Sequence, residues 1–205
     1  MAKPVVALVG RPNVGKSTLF NRLTGERLAI VDEIPGTTRD RLLADADWNG
    51  YSFFVMDTGG IDPTQVRGQA PLSIGSKDFI NEIKEQADLA IHEANVILFV
   101  VDGQAGVTPA DHEIADILRR KQINVEGELT PPIVLVVNKA ESAKIRQVAA
   151  EFYELGMGVP YVVSAMHGTG TGDLLDKVVN HFKDLPEETQ EDLSVKIAIV
   201  GKPNA

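Results

Sequence analysis

The chain of 205 residues contains no cysteine. Disulfides and thiolate metal sites are therefore excluded, which suits a reducing compartment. Long apolar runs are also missing from its start. The N-terminus "MAKPVVALVG" carries an apolar stretch about one strand long, far too short for a signal sequence core or a membrane span. A cytoplasmic protein is the expectation. Positive charge is scarce: 20 Lys and Arg stand against 29 Asp and Glu, giving a formal net charge of -9 and a pI near 4.9. A surface this acidic argues against a broad basic patch gripping nucleic acid, though it allows a small local anion site. What is present is ordinary for a globular domain, 43% hydrophobic and 24% charged residues. The length suffices for one sizeable domain and is marginal for two.

Five runs are apolar almost throughout: 4–10 "PVVALVG", 51–60 "YSFFVMDTGG", 95–103 "NVILFVVDG", 131–139 "PPIVLVVNK" and 160–165 "PYVVSA". Continuous rather than alternating apolarity marks strands buried on both faces, hence a parallel sheet. Helical patterns lie between them. "GKSTLFNRLTG" closes at Gly25. "KDFINEIKEQADLAIHEA" has apolar residues at 79, 80, 83, 87, 90, 91 and 94. "TPADHEIADILRR" starts with Thr108 as N-cap and Pro109 at the first helical position. "SAKIRQVAAEFYELG" ends at Gly156, and "TGDLLDKVVNHFKDLP" runs into Pro186. Alternating strands and helices predict right-handed crossovers and a doubly wound αβα sandwich. "RLLADADWNGYSFFVMD" breaks the alternation, because "NG" at 49–50 signals a hairpin. One antiparallel strand thus joins a sheet expected to have six strands. Residues 26–40 and 59–77 show weak periodicity and read as loops, each following a motif-bearing element.

Gly10-Arg11-Pro12-Asn13-Val14-Gly15-Lys16-Ser17 matches G-x-x-x-x-G-K-[ST] between a strand and a helix, with Thr18 next. Backbone N–H groups must wrap a polyphosphate, and Gly10 and Gly15 permit the close approach. Lys16 reaches the phosphates as a point charge, and the Ser17 hydroxyl is a Mg2+ ligand. Asp57-Thr58-Gly59-Gly60 follows the next buried strand. Asp57 there suits a water-mediated hold on Mg2+, and Gly60 lets a backbone N–H approach a γ-phosphate. These boxes give a P-loop nucleotide binder without naming the base.

Asn138-Lys139-Ala140-Glu141 resembles the N-K-x-D box of translation-factor-type GTPases. The resemblance implies that Asn138 braces the loop, that the Lys139 stem lies against guanine, and that the acidic residue accepts the two guanine N–H groups. Here Glu141 replaces the usual Asp, so the carboxylate sits one methylene further out. Ser164-Ala165 resembles the companion base-contact loop. "PGTTRD" at 35–40 resembles switch I of the Era/TrmE/Der group. It implies that Thr38 ligates Mg2+ and touches the γ-phosphate, while Thr37 helps hold the loop. That likeness makes Lys16, Thr38 and Gly60 the catalytic set. Ile61 stands where many regulatory GTPases carry a water-orienting Gln, and Asn13 stands where this group binds K+. Together they imply a slow, K+-stimulated GTPase.

The stretch 196–205 "KIAIVGKPNA" repeats 5–14 "VVALVGRPNV". A tandem protein whose second P-loop domain begins here is the reading, with no nucleotide site expected at 201–205. The expected layout is a GTPase domain over 1–184, an acidic linker at 185–194 and the start of a second GTPase domain at 195–205. This arrangement, with "VALVGRPNVGKSTLFNRLTG", "PGTTRDR", "DTGGI", "QADLAIHEANVILFVVDGQAG" and "VSAMHGTG", resembles the Der/EngA family along the whole chain. The family implies a GTP-hydrolysing switch in large-ribosomal-subunit assembly, with GTP and GDP as ligands. Its RNA contacts lie in a C-terminal KH-like domain absent from this chain, and no membrane partner is expected. Two other readings stay open: a GTP-dependent assembly module that does not hydrolyse, and an ATP-using P-loop enzyme. "HGTGTGD" at 167–173 lacks a following Lys and reads as a turn and helix cap. His112-Glu113 lacks a zinc partner four residues on, His92, His167 and His181 are isolated, and Trp48 and Tyr51 read as packing residues.

Overall fold

The run "VILFVVD" is buried at every position, and that settles where it lies. A strand with no polar face belongs in the middle of a sheet covered on both sides. The computed structural model describes residues 3–25, 30–32, 41–58, 77–123, 130–142 and 149–183. In chain order the elements are β1 (Val5–Val9), α1 (Lys16–Thr24), β2 (Ile30–Asp32), β3 (Arg41–Trp48), β4 (Tyr51–Asp57), α2 (Lys77–Glu93), β5 (Val96–Asp102), α3 (Pro109–Ile123), β6 (Ile133–Asn138), a 3-10 helix (Ala149–Leu155), β7 (Tyr161–Val162) and α4 (Thr171–Phe182). The sheet order is β2-β3-β4-β1-β5-β6-β7.

The expected doubly wound, mostly parallel sheet with one reversed strand is what forms. β1 pairs in parallel with β4 and β5, and β6 with β5 and β7, while β3 runs against both its neighbours. The three-residue strand β2 brings the total among the described residues to seven. It lies within 26–40, which reads as loop from sequence, and its place is set by pairing Ile30 with Leu43.

Side-chain alternation along the strands divides the core in two. Val6, Leu8, Leu98, Val100, Val134 and Val136 face α1 and α4. Ala7, Val9, Ile97, Phe99, Leu135 and Val137 face α2, α3 and the 3-10 helix. α4 offers Leu174, Leu175, Val178, Val179 and Phe182 to the first layer, a 3.6-residue stripe. α2 offers Ala87, Ala90 and Ile91 to the second, as its periodicity predicts. Thr108 caps α3 as expected. Its backbone N–H donates to Asp111 Oδ2 at 3.0 Å, and the Asp111 N–H returns to Thr108 Oγ1 at 3.4 Å. The helix expected to end at Gly156 is a 3-10 helix over its described part; residues 143–148 of that stretch, like 184–205, lie outside the described residues. Among the described residues no helix is long and apolar enough to cross a membrane.

The Asn49-Gly50 turn joins β3 to β4, with Asn49 at φ 47°. Trp48 does more than pack: its Nε1–H donates to Asp176 Oδ1 at 2.7 Å, and Asn49 Nδ2 donates to the same oxygen at 2.8 Å. One carboxylate on α4 thus pins the hairpin. Behind it the Phe53 and Phe182 rings sit 5.4 Å apart, and Tyr51 lies 6.4 Å from Phe182. Phe53 is fully buried and Tyr51 is 37% exposed. Phe53→Ala is therefore expected to cost about 3–5 kcal/mol, and Tyr51→Ala about 1 kcal/mol. Urea unfolding followed by circular dichroism checks this; equal losses would show that the aromatic pair does not divide into core and rim.

Candidate nucleotide site

The chain order runs outward from β1 to β3 and β4, then crosses to β5 and onward to β6 and β7. The connections after β1 and β5 therefore leave in opposite directions. In open α/β sheets the crevice at such a reversal, beyond the carboxyl ends of the strands, is where ligands bind. The P-loop follows β1 there, and the Asp102 turn follows β5.

Two glycines hold the P-loop in shape by lacking a side chain. A Cβ on Gly10 would lie 2.3 Å from the Val100 carbonyl oxygen, and one on Gly15 would lie 2.5 Å from Asn138 Nδ2. α1 begins at Gly15 with no side-chain cap and no acidic residue in its first turn. An uncapped helix start with a positive end is suited to an anion. Lys16 is buried, and its Nζ donates to the carbonyls of Gly10 at 2.6 Å and Arg11 at 3.0 Å. Its ammonium therefore arches back over the loop. Val14 is wholly buried beneath it, while Pro12, Asn13, Ser17 and Thr18 are exposed along the rim. Arg11 Nε donates to Asp111 Oδ1 at 3.2 Å, tying the outer flank of the loop to α3.

Ser17 Oγ donates to Asp57 Oδ2 at 3.1 Å. A hydroxyl and a carboxylate side by side form a hard oxygen donor set, which fits Mg2+ held directly by one and through water by the other. Thr58 Oγ1 donates to the Leu8 carbonyl at 2.7 Å, fixing the end of β4 against β1. Gly59, Gly60, Ile61, Thr37 and Thr38 lie outside the described residues.

Asn138 joins three loops. Its Nδ2 donates to the Val14 carbonyl at 3.0 Å and lies 3.4 Å from that of Gly15, and its Oδ1 accepts the Ala165 N–H at 3.0 Å. Lys139, at φ 62°, turns back to the P-loop: Nζ donates to the Asn13 carbonyl at 2.6 Å and to Asp102 Oδ2 at 2.7 Å. Ser164 is buried and its N–H donates to Thr169. Glu141 is exposed at the rim. Every described residue of the expected site thus stands at the same end of the sheet.

Sequence reading missed three residues around this crevice: Arg22, Asp102 and, in the turn that Asp102 opens, Gln104. Arg22, on α1, donates from Nε to the Ala165 carbonyl at 2.8 Å and from Nη2 to that of Met166 at 2.6 Å. Asp102 closes β5 as Asp57 closes β4, and that parallel was the available signal: an Asp at the carboxyl end of a buried strand. Its Oδ1 accepts the N–H groups of Gln104 at 2.9 Å and Ala105 at 3.3 Å. Burial pushes the Asp102 carboxyl up, but the Lys139 hydrogen bond and charge and the two backbone N–H groups outweigh it. The net result lies below the usual carboxylate range.

The fold and the crevice define a P-loop nucleotide-binding domain of the GTPase kind. Residues 5–139 match the family described as 50S ribosome-binding GTPase, and the chain belongs to that family. Within it the chain is similar to the GTPase Der of Geobacillus thermodenitrificans (strain NG80-2): 48% identical over 205 residues, covering 100% of this chain and 42% of the relative. The resemblance to the Der/EngA family holds along the whole chain, which spans less than half the length of the relatives it matches. Among solved structures, a variant of Aquifex aeolicus Era bound to GDP·AlF4− is 29% identical with a TM-score of 0.61, over 92% of this chain and 58% of that one. Era in complex with MgGDPNP and a segment of 16S ribosomal RNA is 26% identical with a TM-score of 0.56, over 88% and 57%.

A carboxyl with a lowered folded-state pKa adds stability above its unfolded pKa and loses it as pH falls through the folded value. Asp102→Asn should therefore lower unfolding stability by about 1 kcal/mol at pH 7. The gap to the parent chain should close as pH falls below about 4. Urea titrations across pH 3 to 8 would show it; a gap unchanged at low pH would mean that the Asp102–Lys139 pair is not what the variant removes.

Proposed function

We propose that this chain is a GTPase unit that binds GTP and releases GDP and phosphate. The observation that supports it best is the Asn138 amide, which ties the P-loop to the base box and to the Ser164-Ala165 loop. That juxtaposition supports reading the crevice as one site with a phosphate side and a base side. Bound GTP would lie with its phosphates on the α1 start and Lys16, and its base between Lys139, Glu141 and Ala165. Mg2+ would be held by Ser17 and Thr38, with Asp57 acting through water, and would supply charge neutralisation at the β- and γ-phosphates. The reaction is water attack on the γ-phosphorus. Lys16 and the Gly60 N–H stabilise the charge that develops on the transferring group. By the Era/TrmE/Der likeness the Thr38 N–H would touch the γ-phosphate, and Thr37 would help hold the loop over the phosphates. Asn13, on the exposed rim, offers an amide oxygen to K+.

The family description and the Der relatives support a role in assembly of the large ribosomal subunit, in the cytoplasm. The relatives extend beyond this chain, and we assign ribosomal contacts to those further parts. The layout of a GTPase domain over 1–184, a linker at 185–194 and a second domain starting at 195 belongs to the same reading.

Turnover of GTP and ATP by the chain in K+ and in Na+, at matched ionic strength, tests this. GTP should be hydrolysed in preference to ATP, slowly, and faster in K+ by at least about tenfold. Lys16→Ala should lower the K+ rate by about a hundredfold or more. Tight GTP binding without turnover in either salt would favour the non-hydrolysing assembly module, for which Ile61 is the argument. Preference for ATP would favour an ATP-using enzyme.

A further inference from the structure

Glu141 sets a physical problem. Its carboxylate must face two N–H groups of a base at once, yet it hangs in solvent on a stem with one more rotatable bond than Asp would have. A free stem loses rotamer entropy on binding, and that loss weakens recognition. The turn after β5 supplies a remedy. Gln104 Nε2 donates to Glu141 Oε2 at 3.1 Å. Gln104 is itself anchored, because its backbone N–H and that of Ala105 bond to Asp102 Oδ1. The neighbouring Gly103 N–H donates to the Asn138 carbonyl at 2.8 Å. The other Asp102 oxygen holds Lys139, two residues before Glu141. The turn and the base box are therefore joined at three points: Gly103 to Asn138, Asp102 to Lys139, and Gln104 to Glu141.

We propose that Gln104 is a positioning residue for base recognition, one that holds the Glu141 carboxylate toward the purine edge. The proposal rests on the guanine reading given above. A carboxylate has about four acceptor sites, and one amide donor leaves the others open to the base N–H groups. Gln suits the task because its amide donates without bringing a charge. A Lys there would neutralise the carboxylate that reads the base, and an Asp or Glu would repel it.

The test is equilibrium binding of GDP and of IDP to the chain by calorimetry. Inosine lacks the exocyclic amine of guanine, so the IDP-to-GDP ratio of Kd reports how well the carboxylate reads that group. Gln104→Ala should weaken GDP binding about three- to tenfold and IDP binding less, so that the ratio shrinks. The same substitution should have no further effect on top of Glu141→Ala. It should have a smaller effect on top of Glu141→Asp, whose carboxylate is drawn back from Gln104 by one methylene. Circular dichroism melts of each variant show whether the turn survives. Equal loss for both nucleotides, or the same loss in the Glu141→Ala background, would overturn the proposal, because Gln104 would then act through the turn alone. A shrunken ratio for Glu141→Ala with an unchanged ratio for Gln104→Ala would overturn it while leaving the guanine reading intact. An unchanged ratio for Glu141→Ala would overturn both.

Discussion

One side-chain amide holds the crevice together. Asn138 is buried, with 2% of its surface exposed, at the carboxyl end of β6. It donates to the loop after β1 and accepts from the loop after β7. This bracing is possible because β1, β6 and β7 are parallel, so their carboxyl ends lie at one edge of the sheet. It also dictates the P-loop sequence. The amide nitrogen occupies the space a Cβ on Gly15 would need. On the proposed reading, the glycine that would admit a phosphate from one side admits Asn138 from the other. A buried amide with one partner removed leaves the other unsatisfied, at a cost of about 1–3 kcal/mol. The three loops are held in register by that penalty as much as by the bonds themselves.

An acidic chain with a polyanion site looks contradictory until distance is considered. The net charge of -9 is a property of the whole surface, and exposed charges further than about 8–10 Å away are largely screened at physiological salt. Near the crevice the balance differs. α1 starts with no acid in its first turn. Lys16 and Lys139 project across the P-loop, each donating to its carbonyls. The nearby carboxylates have defined partners: Asp57 accepts from Ser17, Asp102 from Lys139 and two backbone N–H groups, Asp111 from Arg11 and Thr108, and Glu141 from Gln104. Local donors therefore set affinity, and the global charge acts mainly on how fast an anion arrives.

How much of this was legible in the sequence depended on how far apart the partners lie along the chain. The central strands could be read because burial on both faces makes them continuously apolar. The P-loop could be read because its eight residues act as one local unit. β2 could not: three residues carry no period, and only pairing with β3 makes them a strand. The 3-10 helix at 149–155 keeps the apolar spacing of the expected helix, with Phe152 and Leu155 buried, but winds more tightly. Asp102, Arg22 and Gln104 were missed for a different reason. Asp102 and Gln104 each meet a partner 37 residues away, and Arg22 meets one 143 residues away. Asp102 leaves a local trace, an Asp that ends a buried strand, but no local pattern encodes which partner each side chain meets. Asp102 and Gln104 meet their partners because they stand at the edge where the parallel strands end, and Arg22 because its side chain reaches from the last turn of α1 to the loop after β7.

The outer side of the P-loop is fixed as firmly as the inner. Asp111 is fully buried, and each of its oxygens has a task. Oδ2 accepts the backbone N–H and the hydroxyl of Thr108, which starts α3; Oδ1 accepts Nε of Arg11. The carboxylate that caps α3 therefore also anchors the P-loop. With Asn138 on one side and Asp111 on the other, the shape of the P-loop is held by the protein's own contacts. A site already ordered loses little conformational entropy on binding, so more of the contact energy appears as affinity. The same bracing makes the diphosphate cradle a fixed reference. On the proposed reading, a cradle fixed in this way would hold the first two phosphates alike, so a difference between GTP and GDP would have to come from segments that meet the third.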